Sequence, residues 1–186
     1  MADRYPETLH RNVVARSRLF RVEAIGLRFS NGVEVEYERL GGSAAGAVLV
    51  VPIRADGCVL MIREYAAGTE RYELGLPKGR IEAGEAREQA ANRELMEEVG
   101  YGAKRLTHLR DLTLAPGYFG HRTQIVLAEE LYEQRLPGDE PEAIEVVPWP
   151  LDDLPGLLAQ RELTEARSIA ALYLARDYLL EKKRSV

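Results

Sequence analysis

The chain has little of what many functional classes require. Its 186 residues include one cysteine, Cys58. A disulfide framework is therefore excluded, and a cysteine-based zinc site lacks ligands. Cys58 lies in the apolar run CVLMI and reads as a buried strand thiol. The three histidines, His10, His108 and His121, show no metal-ligand spacing. Positive charge is not in excess: the net charge is −5, so affinity for nucleic acid or anionic membrane is not expected. Any phosphate-bearing ligand would need local cations. No run approaches the roughly 20 apolar residues of a membrane span. The polar start MADRYPETLHRN has no apolar segment after its charges, so no signal peptide is expected and the chain is placed in the cytoplasm. Repeats, low-complexity tracts and linkers are also missing.

What is present suits one domain with a small appendage. At this length about 70% of the unfolded chain's surface can be buried. Residues 1–12 are expected to form a loose arm. Alternating apolar and polar residues on both sides of Asn31-Gly32 predict a β-hairpin. A second hairpin is predicted at Asp56-Gly57, between AAGAVLVVPI and GCVLMIREY. ERYELGLPKGRIEAGE reads as a loop, and 85–99 as a helix with Ala91, Leu95 and Val99 on one apolar edge. RLTHLRDLTLAP and RTQIVLAEEL read as strands flanking APGYFGH, and LPGDEPEAIE as an acidic loop. EVVPWPL is a short strand ended by Pro148 and Pro150, and Thr164 to Lys183 is an amphipathic helix. The pattern predicts a mixed sheet with helices against it, an α/β or α+β sandwich. Residues 1–42 would be an N-terminal arm and hairpin, and 43–186 the main domain.

The helix at 85–99 places Glu94, Glu97 and Glu98 just before its expected stop at Gly100. Carboxylates are disfavoured at the negative end of a helix dipole, and like charges four apart repel. At 100° per residue the three glutamates fall within an arc of about 100°, away from Leu95 and Val99. Ala86 and Ala90 are small and would leave room beside them. Composition alone leaves two readings: a solvated Glu-rich face, or a site for a hard divalent cation such as Mg²⁺ or Mn²⁺.

The residues before the helix separate these readings. Gly79, then Glu85, then Arg93-Glu94-Leu95, Glu97-Glu98 and Gly100 stand at the spacings of the Nudix box, and the chain resembles the Nudix hydrolase family. Tyr101 departs from the pattern, which usually has an aliphatic residue there. The resemblance implies a Nudix fold, a three-layer α/β/α sandwich. It implies that Glu94, Glu97 and Glu98 bind divalent metal, with the Lys78 carbonyl completing the coordination. Arg93 would fix the loop and its neighbouring glutamates, with Gly79, Glu85 and Gly100 as scaffold. Metal would neutralise a pyrophosphate and activate a water, while a carboxylate takes the proton.

Outside the box, Pro116 follows Gly100 by sixteen residues, in LAPGYFG. A proline there resembles the ADP-ribose pyrophosphatase branch, the alternative being a hairpin turn that happens to use Pro-Gly. Similarity to that branch extends over VARSRLFRVEAIGLRFSNGVEVEYERL, IREYAAGTERYELG and GDEPEAIEVVPWPL. It implies a magnesium-dependent homodimer that hydrolyses ADP-ribose, NADH and diadenosine polyphosphates, releasing AMP. The alternatives are another nucleoside-diphosphate-sugar pyrophosphatase, such as one for GDP-mannose, or a non-catalytic nucleotide-binding Nudix module. In this branch the general base often comes from an acidic loop, which makes Asp139, Glu140, Glu142 and Glu145 candidates beside Glu97. Glu140 is the choice among them, against a merely solvated loop. Arg39 and Arg63 are candidate substrate contacts, each with an ordinary surface role as the alternative. Tyr118 and Phe119 would border the substrate or pack the turn.

Overall fold

A computed structural model of the chain describes residues 5–41, 45–138 and 140–184. These residues divide into two compact units. One holds the N-terminal residues to 41 together with 113–122, and the other holds 45–112 and the residues from 123 onward.

The N-terminal unit is an antiparallel sheet in the order β1-β2-β3, made of β1 (Glu7–Arg16), β2 (Arg21–Arg28) and β3 (Glu34–Leu40). The expected hairpin joins β2 to β3, with Gly32 at φ +83° supplying the left-handed turn. The expected loose arm is corrected from Glu7 onward, because this polar stretch pairs along β2 from Glu7↔Arg28 to Arg16↔Arg21. Its alternation was hidden because β1 is almost wholly exposed, so no buried face marks its period. The turn after Pro116 seats on β3, where Leu40 N–H donates to Tyr118 O at 2.7 Å.

In the second unit, β4 (Ala47–Pro52) lies parallel to β9 (Arg122–Glu133) and antiparallel to β7 (Lys78–Arg80), in a mixed sheet ordered β7-β4-β9-β8, with β8 spanning Tyr101–Thr113. A second sheet is ordered β10-β5-β6, from β5 (Cys58–Ala66), β6 (Arg71–Gly75) and β10 (Glu145–Pro150). The predicted Asp56-Gly57 hairpin is therefore corrected. The turn forms, with Gly57 at φ +83°, but beyond an isolated Ile53↔Val59 bridge its strands enter different sheets. Both strands are apolar on both faces, and parting lets each be covered twice.

Two clusters show the layers. Leu49, Val51, Val59, Met61, Ile125 and Leu127 pack against α2 (Leu154–Leu158) and α3 (Ala166–Arg184) through Leu154, Leu157, Ala171 and Leu172. The alternate residues Val48, Val50, Leu60, Ile62 and Val126 pack against α1 (Arg87–Glu94) and the turn after it through Ala90, Ala91, Leu95 and Val99. The fold is a three-layer α/β/α sandwich. Ala90 is fully buried against the strands, so its small size brings α1 close to the sheet rather than making room beside the acids. Pro148 lies inside β10 opposite Leu60, not at its end. An edge strand tolerates the missing N–H. The segment expected as a loop contains β6 and β7.

One buried hydroxyl ties α3 to the segment that leads into β7. Ser168 Oγ accepts from Leu76 N–H at 3.1 Å and donates to Glu165 at 2.9 Å. Ser168→Ala orphans a fully buried amide, and the expected loss is about 1–3 kcal/mol by urea unfolding. A change below about 0.5 kcal/mol, the range of neutral surface substitutions, would contradict this account.

Candidate active site

The helix carrying the glutamates is built in two parts. Gln89 accepts from Ala86 N–H at 3.0 Å and starts α1. After Glu94 the backbone widens to a π-helical turn over Leu95–Val99, closed by Gly100 N–H donating to Leu95 O at 3.1 Å. Such widened turns cluster at functional sites. Gly100 ends the helix in the left-handed region at φ +83°.

The glutamates are not a solvated face. Glu94 is 8% and Glu98 3% exposed, while Glu97 is half-buried. Gly79 sits directly under Glu94, and a Cβ at Gly79 would overlap that carboxylate. This close approach is the physical reason for a glycine there. Glu98 accepts from Lys78 N–H at 2.9 Å, so β7 and the helix meet through it.

Arg93 organises the rest. Its Nε donates to Glu85 at 2.9 Å, and Nη2 donates to Glu85 at 3.1 Å and to Arg80 O at 2.9 Å. Nη1 bridges Glu94 at 2.7 Å and Glu97 at 3.1 Å. Five contacts match the five N–H donors of a guanidinium. The Arg93 hydrogen bonds hold Glu85 below the usual carboxylate range.

Burial acts in the other direction on the helix. Desolvation raises Glu94, against the lowering effect of Arg93, and pushes Glu98 up to about 8. Glu64 adds to the rise at Glu98 and pairs with Lys78 Nζ at 2.8 Å. Sequence reasoning missed Glu64, although alternation in CVLMIREY puts it on the face of Leu60 and Ile62. It also missed Arg135, whose Nη2 donates to Val99 O at 3.3 Å at the helix C-terminus.

The structure thus brings Lys78, Gly79, Glu85, Arg93, Glu94, Glu97, Glu98 and Gly100 together. Glu140 joins them electrostatically, as its charge contributes to the rise at Glu94. Asp139 lies outside the described residues. Glu142 accepts from Tyr72, and Glu145 pairs with Arg63 at 2.6 Å. Arg63 also pairs with Glu162 at 3.0 Å and shares the β5 face of Val59 and Met61, which points toward α2 and α3. Arg39 belongs to the N-terminal unit, where it donates twice to buried Glu23 at 3.1 Å.

Clustered buried carboxylate oxygens fit a hard divalent cation. Among the described residues no three His, Cys, Asp or Glu side chains already converge as a complete ligand set. Arg93 Nη1 lies between two of the acids, donating to both Glu94 and Glu97.

The raised Glu98 value has a definite sign. Its folded pKa lies above the unfolded one, near 4.3, so the unfolded chain binds fewer protons between about 4.3 and 8. This group's contribution is present in full below the lower value and is lost as pH rises toward the upper one. In chelator-treated protein, Glu98→Gln should therefore gain stability relative to the parent on going from about pH 5 to 8. Urea midpoints at the two pH values test this, and parallel changes in both proteins would contradict it.

Comparison with known proteins agrees with this geometry. The NUDIX domain family matches residues 44–172, and the NudE-type Nudix hydrolase N-terminal domain matches residues 6–39. The chain is 51% identical to the Escherichia coli (strain K12) ADP compounds hydrolase NudE, covering 94% of this chain and 93% of that protein. It is 31% identical to the Bacillus subtilis (strain 168) ADP-ribose pyrophosphatase, covering 89% and 92%. A crystal structure of an ADP compounds hydrolase superposes with a TM-score of 0.90 at 50% identity, covering 96% of each chain. The chain belongs to the Nudix hydrolase family.

Proposed function

We propose that this Nudix hydrolase cleaves the pyrophosphate bond of ADP-linked compounds, among them ADP-ribose, NADH and diadenosine polyphosphates, in a Mg²⁺-dependent reaction that releases AMP. The observation that carries this is the burial of Glu94 and Glu98 on one helical turn, with the Glu94 carboxylate lying directly against Gly79. Two solvent-shielded carboxylates are costly unless a cation compensates them. The similarity to ADP compounds hydrolases supports the substrate class.

In this reading Glu94, Glu97, Glu98 and the Lys78 carbonyl hold the metal, Mg²⁺ or alternatively Mn²⁺. When bound, the metal neutralises the diphosphate and lowers the pKa of the attacking water. The chain's own groups do the remainder. Glu140 takes the proton as the water oxygen bonds to phosphorus and the bridging P–O bond breaks, the leaving phosphate keeping the electron pair. Glu97 is the second acid at this edge, and Arg93 keeps it and Glu94 in register. Arg39 is the proposed substrate contact, exchanging its carboxylate partner for phosphate, which guanidinium accommodates bidentately. Arg63, expected beside it, lies on the β5 face toward α2 and α3 and holds Glu145 and Glu162 instead.

We further propose a homodimer in the cytoplasm. Val13, Val14, Phe20, Val35 and Tyr37 are exposed large apolar side chains in the N-terminal unit, which supports self-association through that unit. Among the described residues no helix is long and apolar enough to cross a membrane.

Mg²⁺ and ADP-ribose should together yield AMP and a sugar phosphate, and chelator should abolish the reaction. Glu98→Gln should lower kcat by roughly 100-fold or more with the fold retained, the scale expected when an interaction specific to the transition state is removed. Chromatography of the products from ADP-ribose, NADH, diadenosine triphosphate and GDP-mannose checks the substrate class. Preference for GDP-mannose, or near-normal Glu98→Gln turnover, would overturn the proposal.

A further inference from the structure

The loop that carries Glu140 is fixed at both ends, by contacts of different kinds. At its start, residues 134–136 dock on the end of the glutamate helix. Leu136 N–H donates to Met96 O at 3.1 Å, and Gln134 N–H donates to Gly100 O at 3.1 Å. Arg135 Nη1 and Nη2 reach Glu97 O at 3.5 Å and Val99 O at 3.3 Å. These are the carbonyls that a helix C-terminus leaves without partners, and a cation there also suits the dipole. At its end, Glu145 enters β10 and pairs with Arg63.

Between these anchors the chain bears carboxylates beside Glu97, lining a cavity of about 370 Å³ with Glu97, Arg135, Glu140 and Glu142. Like charges at Glu94, Glu97 and Glu140 repel, so this part of the loop is electrostatically driven away from the helix. A hydrogen bond from β6 opposes that. Tyr72 on β6 donates its hydroxyl to Glu142 Oε1 at 2.7 Å. The Tyr72 ring meets Tyr65 edge to face, with centroids 5.5 Å apart and planes at 72°. The ring pair fixes the direction of the hydroxyl. Donation to Glu142 raises the Tyr72 hydroxyl above its ordinary range, as expected for a proton held against a carboxylate. Glu140 itself folds back so that its carboxylate lies against Gly138.

We infer that Tyr72 and Glu142 are positioning residues for the hydrolysis: their hydrogen bond holds the acidic loop so that Glu140 is presented to the Glu94–Glu97 edge. Neither touches the reacting atoms. The inference rests on the proposed role of Glu140 as proton acceptor.

Four single variants and two double variants of the chain, assayed with Mg²⁺ and ADP-ribose, test it. Tyr72→Phe removes one oxygen and keeps the ring pair, so thermal stability should hold while kcat falls about tenfold and KM changes little, as for a misplaced catalytic group. Glu142→Ala should match it, and Glu142→Gln, which keeps an oxygen acceptor, should recover most of the loss. Combining Tyr72→Phe with Glu142→Ala should cost no more than either alone, the behaviour of a contacting pair. In a Glu140→Gln background Tyr72→Phe should cost nothing further, which a merely structural role would not produce. If Glu140→Gln alone is near normal, the assigned proton acceptor falls, and this inference with it. If Glu140→Gln is slow but Tyr72→Phe stays within about twofold, or multiplies with Glu142→Ala, the inference alone is overturned.

Discussion

Arg93 is the constraint on which the site depends. One guanidinium, with all its N–H groups in use, joins the loop at Arg80 and Glu85 to the helix at Glu94 and Glu97. A lysine would supply charge but not a rigid fork with five donors. The pairing of β7 with β4 sets Gly79 under Glu94 and Lys78 N–H against Glu98, and Arg93 ties the Glu85 segment and Glu97 to that frame. The geometry of the box is thus a local structure built around a cation, on a helix fixed to the sheet by Ala90, Ala91, Leu95 and Val99.

This arrangement stores unfavourable electrostatics in a restricted place. Carboxylates stand at the negative end of a helix, two of them removed from water, with Glu64 and Glu140 adding charge of the same sign. The rest of the unit offsets it through apolar burial on both faces of β4, β5 and β9. The glutamates thus stand at a helix terminus, while the neighbouring strands β5 and β7 bring Glu64 and Lys78 beside them. A site for a doubly charged ion needs acids that cannot relax away from one another, and rigid elements supply that.

Much of this was legible in the sequence, for physical reasons that can be named. The box residues carry their own spacing, so Gly79, Arg93, Glu94, Glu97 and Glu98 could be placed together before any coordinates. Strands with one buried face, such as β2, declare their period. β1 did not, since both its faces are exposed, and β6 and β7 were masked by glycine and proline. The partnership of β4 and β5 was misread because an Asp-Gly turn specifies a reversal but not which sheet each strand enters. Arg135, Glu64 and Tyr72 were invisible for a related reason. Their partners are 36, 14 and 70 residues away, and no local pattern encodes such contacts. Burial of Glu94 and Glu98 likewise appears only once the helix is seated over Gly79.

The central claim is that these buried acids exist to take up a divalent cation. Calorimetric titration of the chelator-treated protein with Mg²⁺, in two buffers of different ionisation enthalpy, tests it most directly. With Glu98 pushed up to about 8, binding near neutral pH should release close to one proton per site, and affinity should strengthen with pH until that value is passed. Absence of Mg²⁺ uptake, with or without ADP-ribose, would contradict the account, as would uptake without proton release.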